Sequence, residues 1–135
     1  MPTFAAIARA STAAVAAFNG TMQPGYTFHG YQYLGTWAFE TCYMELQGAR
    51  VLPDYLWVKN GMTLDMCTSY CATNGKYKYA GVENGNECFC GNKMTPGAKN
   101  ANDLDCSMTC DIPCPGNDKQ ICGGNGVITV YKNTV

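Results

Sequence analysis

Two closely spaced cysteine pairs constrain this chain more than any other feature of its sequence. Cys67 and Cys71 lie in GMTLDMCTSYCATNG, whereas Cys88 and Cys90 lie in YAGVENGNECFCGN. Cysteines four apart share a helix face and are separated by about 6 Å along the axis. Cysteines two apart share a strand face and are about 6.6 Å apart, with Phe89 pointing to the opposite face. Because the two spacings match, two parallel disulfides can join a helix to a strand, in either order.

The residues around these pairs favour a helix followed by a hairpin. Thr63 is a typical helix N-cap, and Asn74-Gly75 is a typical helix end. The next segment, KYKYAGVE, has the alternation expected of a strand and ends at Asn84-Gly85. This dipeptide favours a type I′ turn, because both of its residues adopt positive φ. The sequence therefore predicts one main helix packed against an antiparallel hairpin.

The cysteine content predicts where the protein is made. The chain has nine cysteines in 135 residues, and such a density is typical of disulfide scaffolds formed in an oxidising compartment. We therefore expect a secreted, extracellular protein. Zinc binding is disfavoured, because no Cys-x2-Cys knuckle is present and His29, the only histidine, precedes every cysteine. We predict no metal and no cofactor.

The N-terminal part differs in composition from the rest, so we divide the chain into an N-terminal segment with a linker, residues 1–30, and a domain, residues 31–132. Residues 1–18, MPTFAAIARASTAAVAAF, are rich in alanine and carry Arg9 as their one positive side chain. This pattern fits either a cleaved signal peptide or a retained helix. It is too short to span a membrane. Asn19 begins an N-glycosylation sequon, which is used if the segment is exported.

Charge and catalytic residue types narrow the function classes. The formal net charge is −1 and the basic residues are scattered, so nucleic acid is not an expected partner. His29 stands in a Gly-rich stretch and cannot easily orient a nucleophile. Glu83 and Glu87 flank the hairpin turn, but no other acid–base group accompanies them, and we interpret them as solvated hairpin carboxylates. We therefore predict no catalytic residues and a protein that is not an enzyme.

Four blocks of the sequence together resemble the WSC domain, a cysteine-rich module of fungal cell-wall stress sensors and secreted fungal proteins. They are, in order, CYMELQGARVLPD, MTLDMCTSYC, YAGVENGNECFCGN and CPGNDKQICGGNGVITVYK. The resemblance covers roughly residues 31–132. It implies a small α+β, disulfide-stapled domain of the PAN or apple type, with one main helix on an antiparallel sheet and long loops. It also implies binding of wall polysaccharide, mainly β-glucan.

The resemblance also implies four disulfides. Carried over by position, the eight cysteines of the family fall on Cys42, Cys67, Cys71, Cys88, Cys90, Cys110, Cys114 and Cys122. Cys106 is then the extra cysteine. The segment DCSMTC also fits the family block, however, which leaves Cys106 and Cys110 as the regular pair and Cys114 in an insertion as an alternative. The odd count predicts a buried free thiol, an intermolecular bridge or a mixed disulfide.

Aromatic side chains and amides are the groups that bind neutral sugars. The segment DYLWVKNG places Tyr55 and Trp57 two apart, hence on one face of an extended strand. We predict Trp57, Tyr55 and Tyr77 as ligand-binding residues, with Tyr77 on the same hairpin face as Tyr79. Tyr79 and Tyr131 are assigned to the core. The candidate amides are Asn84, Asn86 and Asn92. Turn chemistry explains the presence of Asn84 and Asn86 equally well.

These observations predict a non-catalytic, secreted fungal glycoprotein that binds polysaccharide, β-glucan or another wall glycan, weakly for each copy. The rival hypothesis is a structural or self-assembling extracellular protein. In that hypothesis, the N-terminal segment and the odd cysteine make the protein–protein contacts of a homo-oligomer. Retention of a monomer on insoluble glucan supports binding, whereas an oligomer that reductant or removal of residues 1–25 disrupts supports assembly.

Overall fold

The computed structural model describes residues 17–23, 26–45, 48–101 and 110–135, and residues 17–30 are described by their backbone alone. Within these ranges the chain forms eleven strands and one helix. In chain order they are β1 Ala17–Gln23, β2 Tyr26–Tyr31, β3 Tyr33–Leu34, β4 Trp37–Met44, β5 Tyr55–Val58, α1 Leu64–Thr73, β6 Tyr79–Glu83, β7 Glu87–Gly91, β8 Lys99–Asn100, β9 Pro113–Cys114, β10 Asn117–Ile121 and β11 Val127–Asn133.

One antiparallel sheet organises the domain. Its strand order is β3-β4-β11-β6-β7-β5, and the short β8 pairs with β4. The C-terminal strand β11 lies in the middle, between β4 and β6. This strand is almost continuously apolar and β-branched, VITVYKN, as expected for a strand that is covered on both faces. The α+β class predicted from the sequence, with one helix on an antiparallel sheet, is confirmed.

Helix α1 begins at the predicted residue. The Oγ1 of Thr63 accepts a hydrogen bond of 3.0 Å from the N–H of Met66, so a side chain satisfies one of the free donors of the first turn. The helix spans Leu64–Thr73 and turns Cys67 and Cys71 towards the sheet, where both are buried. The predicted helix, with its cysteines on one face, is confirmed.

A second interaction fixes the N-terminal end of α1. Gln120 of β10 is only 2% exposed. Its Oε1 accepts the N–H of Leu64 at 2.8 Å, and its Nε2 donates to the carboxylate of Asp65 at 2.7 Å. Because both polar ends of this buried amide are satisfied, burying it costs little. The loop-rich C-terminal part is thereby joined to the start of the helix.

Four disulfides lie within the described residues. Two of them join α1 to β7. The first cysteine of the helix bonds to the first cysteine of the strand, and the second bonds to the second. The bonded pairs are Cys42–Cys110, Cys67–Cys88, Cys71–Cys90 and Cys114–Cys122. These are the eight positions carried over from the family resemblance. Cys106 lies outside the described residues.

The hairpin between β6 and β7 turns where the sequence predicts. Asn84 and Gly85 have φ of 55° and 84°, as a type I′ dipeptide requires. Glu83 is opposite Glu87, so the connection contains three residues rather than two. The side chain of Phe89 points away from the helix and packs with a separate group of buried residues.

The sheet separates two apolar clusters, which we call the helix face and the loop face. The helix face lies under α1 and contains all eight bonded cysteines. The loop face is covered by the segments around residues 51–52 and 94–98, and none of the eight bonded cysteines lies in it. Its fully buried members are Val51, Leu52, Phe89, Ile128 and Val130. Both clusters are needed to bury the central strand β11.

The residues that precede the main sheet also form strands. β1 and β2 pair antiparallel, with Asn19 opposite His29. This pairing lies mostly within residues 1–30, the segment that the sequence assigns to the N-terminal part and linker. The sequon residue Asn19 is therefore part of a strand.

The chain enters and leaves the main sheet at neighbouring points. The carbonyl of Thr36 accepts the N–H of Thr134 at 2.9 Å. The hydroxyl of Tyr131 donates to the carbonyl of Tyr31. These contacts join the start of the domain to the last residues of β11. Among the described residues, none forms a helix with the length and apolar character needed to cross a membrane.

Candidate binding site

Two of the predicted aromatic residues lie on the edge strand β5. Tyr55 is opposite Cys90 and Trp57 is opposite Cys88 in the pairing of β5 with β7. Residues opposite each other in paired strands point to the same face. Both aromatic side chains therefore lie on the helix face, as predicted for residues two apart in an extended segment.

A tyrosine of the helix completes a stack of three rings. The ring of Tyr70 lies 4.1 Å from that of Trp57 at an interplanar angle of 11°. It lies 5.8 Å from that of Tyr55 at 22°. The hydroxyl of Tyr70 donates to the hydroxyl of Tyr55 at 3.1 Å, and this hydrogen bond raises the pKa of Tyr70 above its ordinary value of 10. We call these three residues the aromatic trio.

The disulfides explain why a helix residue reaches the edge strand. Cys67–Cys88 and Cys71–Cys90 hold α1 directly over β7. Tyr70 lies on the helix between the two bridges and extends past β7 to its neighbour β5. Tyr55 is 44% exposed, and the other two rings are half-buried. The trio is thus a rigid aromatic surface that solvent reaches.

Tyr77 lies beside the trio, but not in the predicted way. It packs against the helix face, whereas Tyr79 packs against the loop face. The prediction that they share a face is wrong, because β6 begins only at Tyr79 and Lys76, with φ of 53°, redirects the backbone before it. The N–H of Tyr77 donates to the carbonyl of Cys71 at 3.1 Å. Tyr77 therefore follows the end of the helix.

Two predicted core tyrosines differ in burial. Tyr131 is 1% exposed, in agreement with its assignment to the core. Its ring makes an edge contact with Phe39, with ring centres 5.6 Å apart. Tyr79 is half-buried at the rim of the loop face.

Asn92 lies at the Tyr55 end of the trio. Its side-chain oxygen accepts the N–H of Lys78 at 3.1 Å, and its own N–H donates to the carboxylate of Asp54 at 3.3 Å. Asn92 is exposed, and its amide nitrogen points away from these two contacts. Asp54 precedes Tyr55 directly. The amide of Asn92 therefore lies near the aromatic surface, whereas the carboxylate of Asp54 lies close to Leu52, on the loop face.

Asn84 and Asn86 lie at the other end of the hairpin. The side chain of Asn84 donates to the carboxylate of Glu87 at 3.3 Å, a local contact of the turn. The carbonyl of Asn86 accepts the N–H of Lys59 at 3.0 Å. Since Lys59 is two residues beyond Trp57, Asn86 lies near that end of the trio. The structure therefore places Asn92 near the Tyr55 end of β5 and Asn86 near its Trp57 end, and leaves Asn84 at the turn.

Sequence reasoning missed Tyr70. The signal for it was its position directly before Cys71 on the predicted helix. The sequence left the order of the two bridges open, however, and did not define which strand would lie next to β7. Without the order of the bridges and the order of the strands, no residue of the helix can be placed over Tyr55 and Trp57.

A group of charged residues lies on the opposite face. Glu83 is only 3% exposed, so its interpretation as a solvated hairpin carboxylate is wrong. The segment that carries Arg50 covers it, and the guanidinium lies 3.7 Å from Glu83 and 3.6 Å from Glu45. Burial, followed by the hydrogen bond and negative charge of Glu45, raises the pKa of Glu83 to about 9, although Arg50 acts in the opposite direction. We call these residues the charged cluster.

The arrangement of sulfur atoms also bears on metal binding. The sulfurs of Cys67, Cys71 and Cys88 lie within 4.8 Å of one another. All three belong to disulfides. Because zinc is bound by thiolates, sulfur atoms in disulfides are not available to it. The cluster reflects two adjacent bridges.

Comparison with known proteins agrees with the fold. Residues 39–124 match the WSC domain. A WSC domain-containing protein of Arthroderma benhamiae is 39% identical over 102 residues, which cover 73% of this chain and 11% of that protein. A second such protein of the same fungus is 31% identical over 123 residues, covering 91% of this chain and 15% of its own length. Xylosyltransferase oxt of Drosophila pseudoobscura pseudoobscura is 36% identical over 95 residues, 70% of this chain and 10% of that protein.

The chain thus spans 11% and 15% of the two fungal relatives, which contain much more than this region. The match includes the helix, the hairpin, the aromatic trio and all eight bonded cysteines. It confirms the resemblance found in the sequence. The chain belongs to the WSC domain family.

Proposed function

We propose that this protein binds polysaccharide at the aromatic trio, with the β-glucan of fungal cell walls as its ligand and without chemical conversion of it. The observation that carries this proposal is the stack of Tyr70 on Trp57, at 4.1 Å and 11°, beside the exposed ring of Tyr55. Membership of the WSC family points to a carbohydrate-binding role. The identity of the glycan and the site are our proposals.

The chemistry of the trio suits a sugar chain. Pyranose rings present faces of C–H groups that pack on flat aromatic rings, and hydroxyl groups that need hydrogen-bond partners. The hydroxyl of Tyr55 and the side-chain nitrogen of Asn92 supply such partners at one end. The rings are already held by their mutual stacking and by two disulfides. Binding therefore orders few side chains, which lowers its entropic cost.

The position of the carboxylates supports binding rather than hydrolysis. Glycosidases need two carboxyl groups on either side of the bound sugar. Glu45 and Glu83 lie together, but on the loop face, with the whole sheet between them and the trio. Relatives named xylosyltransferase share this region over about a tenth of their length, so the domain also occurs within proteins named as enzymes.

The location proposed for the protein is extracellular, in a cell wall. Four disulfides within the described residues fit an oxidising compartment. The self-assembly hypothesis depended on the N-terminal segment and on Cys106, and residues 1–16 and 102–109 lie outside the described ranges. No contact of the described residues favours that mechanism.

The test is retention of the oxidised protein on insoluble β-1,3-glucan, xylan, chitin and cellulose. We expect selective retention on β-1,3-glucan and an affinity at least about tenfold lower for Trp57→Ala, since one lost stacking contact corresponds to about 1.4 kcal/mol. Tyr33→Ala is the matched control, because Tyr33 is a half-buried tyrosine of β3, at the opposite edge of the sheet. Retention on none of the polymers, or equal retention of Trp57→Ala, would contradict the proposal.

A further inference from the structure

The outer edge of β5 has free backbone groups. The N–H of Lys59 donates to the carbonyl of Asn86, so these two form a hydrogen-bonded pair of the antiparallel ladder. Such pairs alternate along a strand. Leu56 and Val58, one and three residues before Lys59, therefore direct their N–H and C=O groups away from β7. Among the described residues, no strand pairs with β5 on that side.

The side chains of the same two residues are exposed. Leu56 is 47% exposed and Val58 is 53% exposed. Few other large apolar side chains of the described residues are exposed to this extent. They lie on the loop face, because Leu56 is opposite Phe89. Edge strands are commonly protected by a charge or a proline within the strand. β5, with the sequence YLWV, has neither.

The outer edge of β5 is complementary to a second copy of itself. The two residues with outward backbone groups, Leu56 and Val58, also have exposed apolar side chains. An antiparallel copy aligned on Trp57 sets each of them opposite the other, so that donors meet acceptors and apolar side chains meet apolar side chains. Asp54 stays outside this contact, because its carboxylate accepts the N–H of Asn92 on the β7 side of the strand. The edge is thus self-complementary about a twofold axis, the symmetry of most homodimers.

We infer that two copies of this protein pair through their β5 strands, antiparallel, with Trp57 opposite the partner's Trp57. In this register Leu56 lies opposite the partner's Val58, and Val58 opposite the partner's Leu56. The four outward backbone groups of each copy then form hydrogen bonds with the other. The exposed apolar side chains pack against each other on the loop face.

Pairing also changes the binding site. Opposite residues in paired strands point to the same face, so both aromatic trios lie on one side of the extended sheet. The two Trp57 residues occupy a non-hydrogen-bonded pair, in which Cα atoms are about 4.5 Å apart. The trios therefore form one continuous aromatic strip. This consequence, unlike the pairing itself, rests on the proposed function.

The dimer is expected to be weak. An interface built on four residues of each copy is smaller than that of a stable complex. When a polymer already bound to one trio binds the second trio of the same dimer, this second step takes place within one complex. Retention is then stronger by a factor of about 10² or more, without a new kind of contact. Weak pairing in solution and tight retention on a long glycan are thus expected together.

The test is sedimentation equilibrium of the oxidised full chain carrying Cys106→Ser, so that the ninth cysteine cannot link copies. We expect a concentration-dependent monomer–dimer equilibrium. Val58→Pro, which removes an outward N–H that the monomer does not use, and Leu56→Lys, which adds a charge to the interface, should each yield only monomer. Val135→Lys is the matched control, because Val135 is 88% exposed and lies away from β5; it should dimerise normally.

Binding to a short β-1,3-glucan oligosaccharide and to the insoluble polymer separates the two proposals. Leu56→Lys should bind the oligosaccharide as the unchanged chain does and lose at least about tenfold in retention on the polymer. A chain that stays monomeric up to about 1 mM, or dimers that persist in both variants, would overturn the pairing whatever the glycan result. Dimerisation without binding to any glycan would overturn the proposed function alone.

Discussion

The two faces of the sheet are held together in different ways. On the helix face, four disulfides connect the helix, the strands and the C-terminal loops. On the loop face, apolar packing around Leu52 and Phe89 is combined with the charged cluster of Glu45, Arg50 and Glu83. We therefore expect the first face to respond to reduction and the second to pH.

This difference bears on the candidate site. The aromatic trio lies on the disulfide-bonded face, where Tyr70 is placed over β5 by bridges on both sides of it. The position of its rings therefore depends on covalent bonds more than on the packing of the surrounding side chains. The loop face supplies much of the buried apolar surface of the domain and holds no part of the trio.

The largest effect is expected from removing the bridge that closes the longest loop. Cys42 and Cys110 are separated by 68 positions, and Cys114 and Cys122 by 8. In the chain-entropy account, removing the first bridge with a double substitution to alanine should lower the free energy of unfolding by about 4 kcal/mol, and removing the second by about 2.5 kcal/mol. Urea unfolding of the two variants measures this. Equal losses would show that loop length does not determine the contribution of each bridge.

The loop face should respond to loss of volume. Leu52 is 1% exposed, so Leu52→Ala should lower the free energy of unfolding by about 3 kcal/mol through lost burial and the cavity it leaves. Leu56→Ala provides a control of the same chemistry at an exposed position, with an expected change within about 0.5 kcal/mol. Urea unfolding compares them. Similar values for the two variants would mean that the segment around Leu52 does not form the cover described.

The charged cluster should give the loop face a pH dependence. The pKa of Glu83 is raised from 4.5 to about 9, so between these values the folded state holds a proton that the unfolded state has lost. The corresponding stabilisation is complete below pH 4.5 and is lost as the pH rises through 9, with a slope of at most about 1.4 kcal/mol per pH unit.

Unfolding in urea between pH 5 and pH 9 tests this slope. Glu83→Gln carries no titrating group at this position, and its stability should vary less with pH. Glu40→Gln is the control, because Glu40 is exposed on β4 and its replacement should leave the slope in place. A steep slope that persists in Glu83→Gln would assign the pH dependence to another group.

The smallest effect concerns the start of the helix. Thr63→Ala removes the acceptor of the Met66 N–H and should lower the free energy of unfolding by about 1 kcal/mol. Thr73→Ala, at the exposed end of the same helix, should change it by less than about 0.5 kcal/mol. Thermal unfolding of both variants measures the difference. If capping mattered little because the bridges already fix the helix, the two variants would unfold at the same temperature.

The sequence predicted what depends on local spacing. Thr63 and the cysteines at positions 67 and 71 define the helix and its buried face, and Asn84-Gly85 defines the turn. Tyr55 and Trp57 were placed on one face because alternation along a strand is a local property. In each of these cases the deciding atoms lie within a few residues of one another in the chain.

Features that depend on distant segments were not predicted. The position of Tyr70 over β5 required the strand order of the sheet and the order of the two bridges. The burial of Glu83 required the segment around Arg50 to fold back over the hairpin, 33 positions away in the sequence. The local sequence does not predict the position of Tyr70 over β5 or the burial of Glu83, because in both cases the contacting residues come from a distant part of the chain.

The closeness of Thr36 to Thr134, and of Tyr31 to Tyr131, has an evolutionary consequence. A unit whose chain enters and leaves its main sheet at neighbouring points can be inserted into a loop of another protein, or repeated in series, without separating the two ends of that loop. In the two fungal relatives the matching region makes up 11% and 15% of the total length, the proportion expected of a unit carried within a much longer chain.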